Sequence, residues 1–94
     1  MAIEMRQALP GFSAEQAAAV AAVVNERART APGFIAHASG PIPGGYHVTE
    51  IWESREAFER FSDEVVVPLM RRIGADLGSV SPPLYLPLDN VVTR

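Results

Sequence analysis

The side chains best suited to chemistry near neutral pH lie close together in this sequence. The stretch HASGPIPGGYHVTEIW, residues 37 to 52, holds both histidines, one of the two tyrosines, a glutamate and the single tryptophan. His37 and His47 flank a Pro/Gly run. Neutral imidazoles ligate zinc, copper or iron, but a catalytic metal site ordinarily takes three protein ligands. A hairpin pairing Ser39 with Gly45 would set His37 opposite His47 and turn Glu50 to the other face, so no third ligand joins them. Without a metal, an imidazole serves as an acid or a base, and either histidine is otherwise an ordinary hairpin residue at an interface.

Tyr46, Glu50 and Trp52 form a second constellation, because alternate residues of a strand project to one side. An apolar setting makes a carboxylate a better base, which would ready Glu50 to take a proton from a phenol or an activated C–H. Tyr46 would then donate to the resulting oxyanion and Trp52 would stack on the ring. Under the same pairing Ala36 and Ala38 lie beneath these large groups and leave room for a flat molecule. In the competing reading Trp52 and Tyr46 are core packing and Glu50 is the partner of Arg6 or a helix arginine. The catalytic candidates are therefore Glu50, His37 and Tyr46. The substrate-binding candidates are Trp52, Phe34, Ala36, Phe58, Phe61 and His47, and the reading calls for no metal or other cofactor.

The elements that must position these groups follow from periodicity. AIEMRQAL, residues 2 to 9, alternates with Ile3, Met5, Gln7 and Leu9 on one side, which predicts a strand ended by Pro10-Gly11. Ser13-Ala14-Glu15-Gln16 reads as a capping box for a helix that buries Ala17, Val20, Ala21, Val24 and Ala28. Residues 34–39 and 45–52 read as a hairpin across a loop at 40–44. Ser54 caps a second helix with Ala57, Phe58, Phe61 and Val65 on one face and Glu56 four residues from Arg60. Pro68 predicts a break at Val67 and a short third helix carrying Leu69, Ile73 and Leu77. The segment PPLYLPL, residues 82–88, reads as a strand confined to a sheet edge, since proline has no N–H to donate. The order β-α-β-β-α-β is the ferredoxin-like α+β arrangement with a four-stranded antiparallel sheet in the order 4-1-3-2. Two helices cover one face of such a sheet, and the apolar groups on both faces of the hairpin predict a homodimer formed sheet to sheet.

Composition bounds the remainder. Ninety-four residues predict one domain spanning 1–94. A net charge of −3 offers no basic footprint for nucleic acid. The absence of cysteine removes disulfides and thiolate chemistry and fits a reducing cytoplasm. No signal peptide and no membrane span is expected. The Gly40–Gly45 run lacks the N–H groups and the following helix of a phosphate loop, and Arg71-Arg72 are expected to be solvated.

In PGFIAHASGP, residues 32–41, and GGYHVTEIWESREAFERF, residues 44–61, the sequence resembles the dimeric α/β-barrel superfamily, close to the antibiotic-biosynthesis monooxygenases. The resemblance implies a homodimer with facing sheets and a pocket in each subunit between sheet and helices. Haem-degrading members carry a tryptophan where Phe61 stands and a histidine near Arg71, so the resemblance does not extend to haem chemistry. The expected function is that of a cofactor-independent monooxygenase or cyclase acting on a small aromatic or polyketide-type substrate. The alternative is a non-catalytic dimeric module that binds a hydrophobic small molecule.

Overall fold

The computed structural model describes residues 1–94. Strand β1 (Ile3–Pro10) leads into helix α1 (Ala14–Ala28), then β2 (Phe34–Ile42) and β3 (Gly45–Trp52) form a hairpin. Helix α2 (Arg55–Phe61) continues through a π-helical turn at Ser62–Val66 into α3 (Val67–Arg72), and a 3₁₀ turn (Leu77–Ser79) precedes β4 (Leu84–Pro87). The strands pair antiparallel in the order β2-β3-β1-β4. This is the ferredoxin-like arrangement that the element order predicts, with proline-rich β4 at an edge.

Local signals act where the sequence places them. Ser13 Oγ accepts from the Gln16 backbone N–H at 3.1 Å while the Gln16 side chain accepts from the Ser13 N–H at 3.1 Å, which satisfies two otherwise orphaned groups at the start of α1. Ser54 caps α2 by accepting from the Ala57 N–H. The anticipated Glu56–Arg60 pair is replaced by Arg55–Glu59 at 3.3 Å on the same exposed helix.

Two features of the hairpin differ from the expected pairing, and both bear on the site. The turn is Pro43-Gly44, with Gly44 at φ +79°; proline followed by a glycine of positive φ is the type II signature, and it lets β2 run on to Ile42, opposite Gly45. His37 therefore lies opposite Glu50, three positions along β3 from the expected His47. The second feature is an irregularity between Phe34 and Ala36: Phe34 faces Trp52 and Ala36 faces Ile51, so Ile35 is an extra residue in the ladder. Such a bulge reverses which residues of the strand point inward. Phe34 points toward the helices beside Trp52, with ring centroids 5.4 Å apart. Beyond the bulge it is His37 and Ser39 that share the face of Glu50 and Val48, while Ala36 and Ala38 are turned to the opposite face.

The expected break at Val67 does not occur either. Val67 stays helical at φ −62° and ψ −47°, its N–H bonded to the Ser62 carbonyl five residues back. The wide turn admits Pro68, which has no N–H and clashes with the carbonyl of an ordinary helical turn.

Trp52, with no exposed surface, sits at the centre of the core beside Met5, Val24, Ala28, Phe58, Phe61, Val65 and Leu69. A smaller cluster of Leu9, Phe12 and Met70 continues the core toward the turn end of the sheet. Helices cover this face only. The other face carries Glu4, Arg6, Thr49 and Ile51, with Glu4 accepting from Arg6 Nε at 2.9 Å and from Thr49 Oγ1 at 2.9 Å. These bonds from the Arg6 and Thr49 side chains hold the Glu4 carboxyl below its ordinary pKa. No helix is long and apolar enough to cross a membrane.

Candidate functional site

Glu50 is the one charged residue in the buried core, 4% exposed. A carboxylate there needs partners, since an unpaired buried charge is prohibitively costly. It has two: Trp52 Nε1–H donates to one oxygen at 2.9 Å, and His37 Nδ1 meets the other at 2.6 Å. The Trp52 bond comes from strand periodicity, which places residues 50 and 52 on one face. The His37 bond comes from the turn, which sets the register that places His37 opposite Glu50. The expected partnership of Glu50 with Arg6 does not form, because Arg6 lies on the opposite face beside Glu4.

A carboxylate only accepts, so His37 Nδ1 must carry the proton in this contact. The other ring nitrogen, Nε2, makes no hydrogen bond within the protein and is not among buried atoms lacking a partner, so it remains accessible. His37, with its side chain 15% exposed, lines a cavity of about 60 Å³ between the sheet and the two helical segments.

The cavity floor is built in rows across the sheet. Met5, Glu50 and His37 align in one row, Gln7, Val48 and Ser39 in the next, and Leu9, Tyr46 and Pro41 in the third. Helix α1 contributes Ala17, Val20, Ala21 and Val24; Phe58, Ser62, Val66 and Met70 come from the helical stretch after β3. Small alanines on α1 leave space over the sheet. Gln7 Nε2 donates to the Ser81 carbonyl at 2.9 Å, which ties the chain before β4 to β1 and leaves the amide oxygen free to accept. Apart from Glu50 and the two histidines, no ionisable acid or base lines the cavity except the Tyr46 phenol.

The sequence-predicted residues divide accordingly. Glu50, His37, Tyr46, Phe58 and His47 line the cavity; Trp52, Phe34, Phe61 and Ala36 do not. Trp52 and Phe61 are sealed in the core with ring centroids 5.2 Å apart, so Trp52 orients Glu50 and has no face to offer a ligand. Phe34 is packed edge-on against Trp52. Ala36 is on the far side of the sheet, opposite Ile51, a consequence of the shifted register. His47 is exposed at a rim that also borders a shallow groove on the opposite sheet face, and its strand partner is Gly40. The two histidines are therefore not cross-strand partners, although both border the cavity. No group of three metal-ligating side chains occurs together. Tyr46 is four residues from Glu50, about 13 Å along an extended strand, so it serves the other end of the cavity and not the centre occupied by His37. Gln7, Ser39 and Ser62 were not singled out by the sequence reading. Only Gln7 had left a signal, as the polar member of the inward-facing set in β1.

A ferredoxin-like sheet with an apolar cavity under its helices, and one hydrogen-bonded acid–base pair on the floor, defines an α+β protein with a candidate small-molecule site. Residues 1–65 match the family antibiotic biosynthesis monooxygenase, and the chain belongs to that family. Its fold is similar to that of SnoaB, a cofactor-independent oxygenase from Streptomyces nogalater, at TM-score 0.65 and 12% identity over 99% of this chain and 97% of that one. A putative antibiotic biosynthesis monooxygenase from Chloroflexus aurantiacus aligns at TM-score 0.68 and 14% identity over 98% of each chain. The haem degrader MhuD from Mycobacterium tuberculosis, solved with two haems in its active site, aligns at 0.51 and 19% over 99% of this chain and all of that one. At these identities the likeness is one of fold. No curated protein matches the chain by sequence.

A haem does not fit the residues present here. The cavity is far below the ~300–1,000 Å³ typical of pockets for drug-sized ligands, and no lysine or arginine lines it to meet the propionates.

Proposed function

We propose that this chain is a cofactor-independent oxygenase of a small hydroxylated arene, with His37 as the base and Glu50 as the residue that orients it. The observation that carries the proposal is the buried Trp52–Glu50–His37 chain of hydrogen bonds, which ends on an accessible Nε2 in an otherwise apolar cavity. A carboxylate on Nδ1 fixes the tautomer and stabilises the imidazolium that forms when Nε2 takes a proton.

The reaction balances with dioxygen as the oxidant. Nε2 removes a proton from an activated ring CH₂ or its enol, and the carbanion transfers electrons to O₂ and bonds to it as a peroxide. The imidazolium returns its proton to the peroxide. Loss of the second C–H proton, with breaking of the O–O bond, then gives a carbonyl and water. One oxygen atom enters the product, and the other leaves as water. The apolar lining keeps bulk water from the carbanion. The cavity holds less than half of the ~150 Å³ of a known benzene-sized site, so a ring enters by displacing adaptable side chains such as Met5 and Met70. This favours one or two fused rings over three.

The second face of the sheet, uncovered by helices, supports assembly of two copies sheet to sheet. Light scattering in dilute solution reads this directly, and a mass equal to one chain removes the dimer from the proposal. The cysteine-free composition supports a reducing compartment such as the cytoplasm. For the activity, oxygen uptake is followed with dihydroxynaphthalenes and an anthrone, corrected for spontaneous oxidation. The wild type is expected to turn over the two-ring substrates, and His37→Ala to lose on the order of 10²-fold or more of the rate. Turnover unchanged in His37→Ala removes His37 as the base. Ring closure of a polyketide-type substrate without oxygen uptake makes the protein a cyclase, and saturable binding with no turnover makes it a binding module.

A further inference from the structure

Eighteen residues line the cavity and none is a lysine or arginine. Its one carboxylate, Glu50, lies in the floor, and in the form that the proposed function requires, with the His37 proton on Nδ1 and Nε2 free as the base, the pair carries a net negative charge. The arginine nearest in sequence to the floor, Arg6, is on the outer face of the sheet and engaged by Glu4. Uncharged polar groups are distributed along the floor and wall instead: the Gln7 amide oxygen, the Ser39 and Ser62 hydroxyls, and the Tyr46 phenol toward the far end.

We infer that the cavity selects an uncharged substrate and rejects its carboxylated counterpart, an inference that deepens the proposed function and rests on it for the identity of the site. An anionic substituent brought into this space loses water, meets no lysine or arginine and approaches the charge of Glu50. A neutral amide, ester or hydroxyl group in the same place is satisfied by Gln7, Ser39, Ser62 or Tyr46. Charge repulsion at a separation of several ångströms, at the effective dielectric near a protein surface, is worth on the order of 10- to 100-fold in affinity.

The test compares two ligands of the same shape that differ in charge, 6-hydroxy-2-naphthamide and 6-hydroxy-2-naphthoate, whose dissociation constants are measured by calorimetry at pH 7 on the intact chain. The amide is expected to bind at least tenfold more tightly, and the gap to narrow in Glu50→Gln, which keeps the side-chain shape and removes the charge. A naphthoate that binds as tightly as the amide overturns the inference, and so does failure of the amide to bind at millimolar concentration. If Glu50→Gln does not fold, the wild-type comparison decides alone. Oxygen uptake with a neutral dihydroxynaphthalene separates the two claims: selective binding of the amide without turnover retains the charge selection and removes the oxygenase.

Discussion

Replacing Glu50 with glutamine changes two hydrogen bonds while leaving the shape of the core intact, and its consequences differ in kind for stability and for rate. The side-chain oxygen of the introduced glutamine must face Trp52 Nε1–H, because the amide nitrogen cannot accept from it. The amide N–H₂ then faces His37 Nδ1, which has to become the acceptor, and the imidazole proton moves to Nε2. Each charge-assisted bond is worth about 1.5–3 kcal/mol against about 0.5–1.5 for a neutral one, so converting both costs roughly 2–3 kcal/mol. The glutamine, however, avoids burying an ionised carboxylate at 4% exposure, a desolvation penalty of several kcal/mol. These terms largely offset, and the net change in stability is expected to stay within about 2 kcal/mol in either direction. The rate has no such compensation. With Nε2 protonated there is no base, and a loss of ~10²- to 10⁴-fold is expected, equivalent to about 3–5 kcal/mol of activation free energy. Urea denaturation, oxygen uptake and ¹⁵N NMR of the imidazole ring together read stability, rate and tautomer. An unchanged rate, or a variant in which Nδ1 keeps the proton, refutes the reasoning.

Further predictions concern the frame and its titration. A methyl group on Gly45 would collide with the Leu9 carbonyl oxygen and come within 3.0 Å of the Gly11 nitrogen, both backbone atoms. Gly45→Ala should therefore lower stability by about 2 kcal/mol or more, whereas Gly44→Asn, in open space at φ +79°, should cost well under 1 kcal/mol because asparagine tolerates that conformation. Equal urea midpoints for the two variants would contradict the close approach of β1 and β3. Tyr85 has its pKa raised by burial and by Glu59, against the opposing effect of Arg55, whose guanidinium lies 4.3 Å from the ring centroid. A raised folded value means that its contribution to stability is complete below the ordinary ~10 and is lost as pH rises through the folded value. The difference in ultraviolet titration between wild type and Tyr85→Phe should show a midpoint above 10, and a midpoint at or below it would remove the burial argument.

The sequence by itself determined the elements and their order. The capping box at Ser13–Gln16, the alternation of β1 and the helical spacing after Ser54 are local signals, and each depends on interactions within a few residues of itself. The prolines around Leu84–Leu86 had the same standing, because a missing N–H excludes a central strand wherever the chain goes. The residues of the site were also visible as types: His37, Glu50 and Tyr46 were candidates before any geometry was known. Their combination was decided only in the folded sheet. Pro43-Gly44 had the composition of a tight turn, but neighbouring Gly40, Pro41 and Gly45 offered others, and the choice moved the register by three positions. The extra residue at Ile35 has no signature of its own; it arises where Phe34 packs on Trp52 while the remainder of β2 pairs with β3. Strand faces alternate with a period of two, so the odd shift set by the turn exchanges Ala36 for His37 on the cavity floor, and the extra residue at Ile35 lets Phe34 keep its place beside Trp52. That single change of parity brings the imidazole to the buried carboxylate.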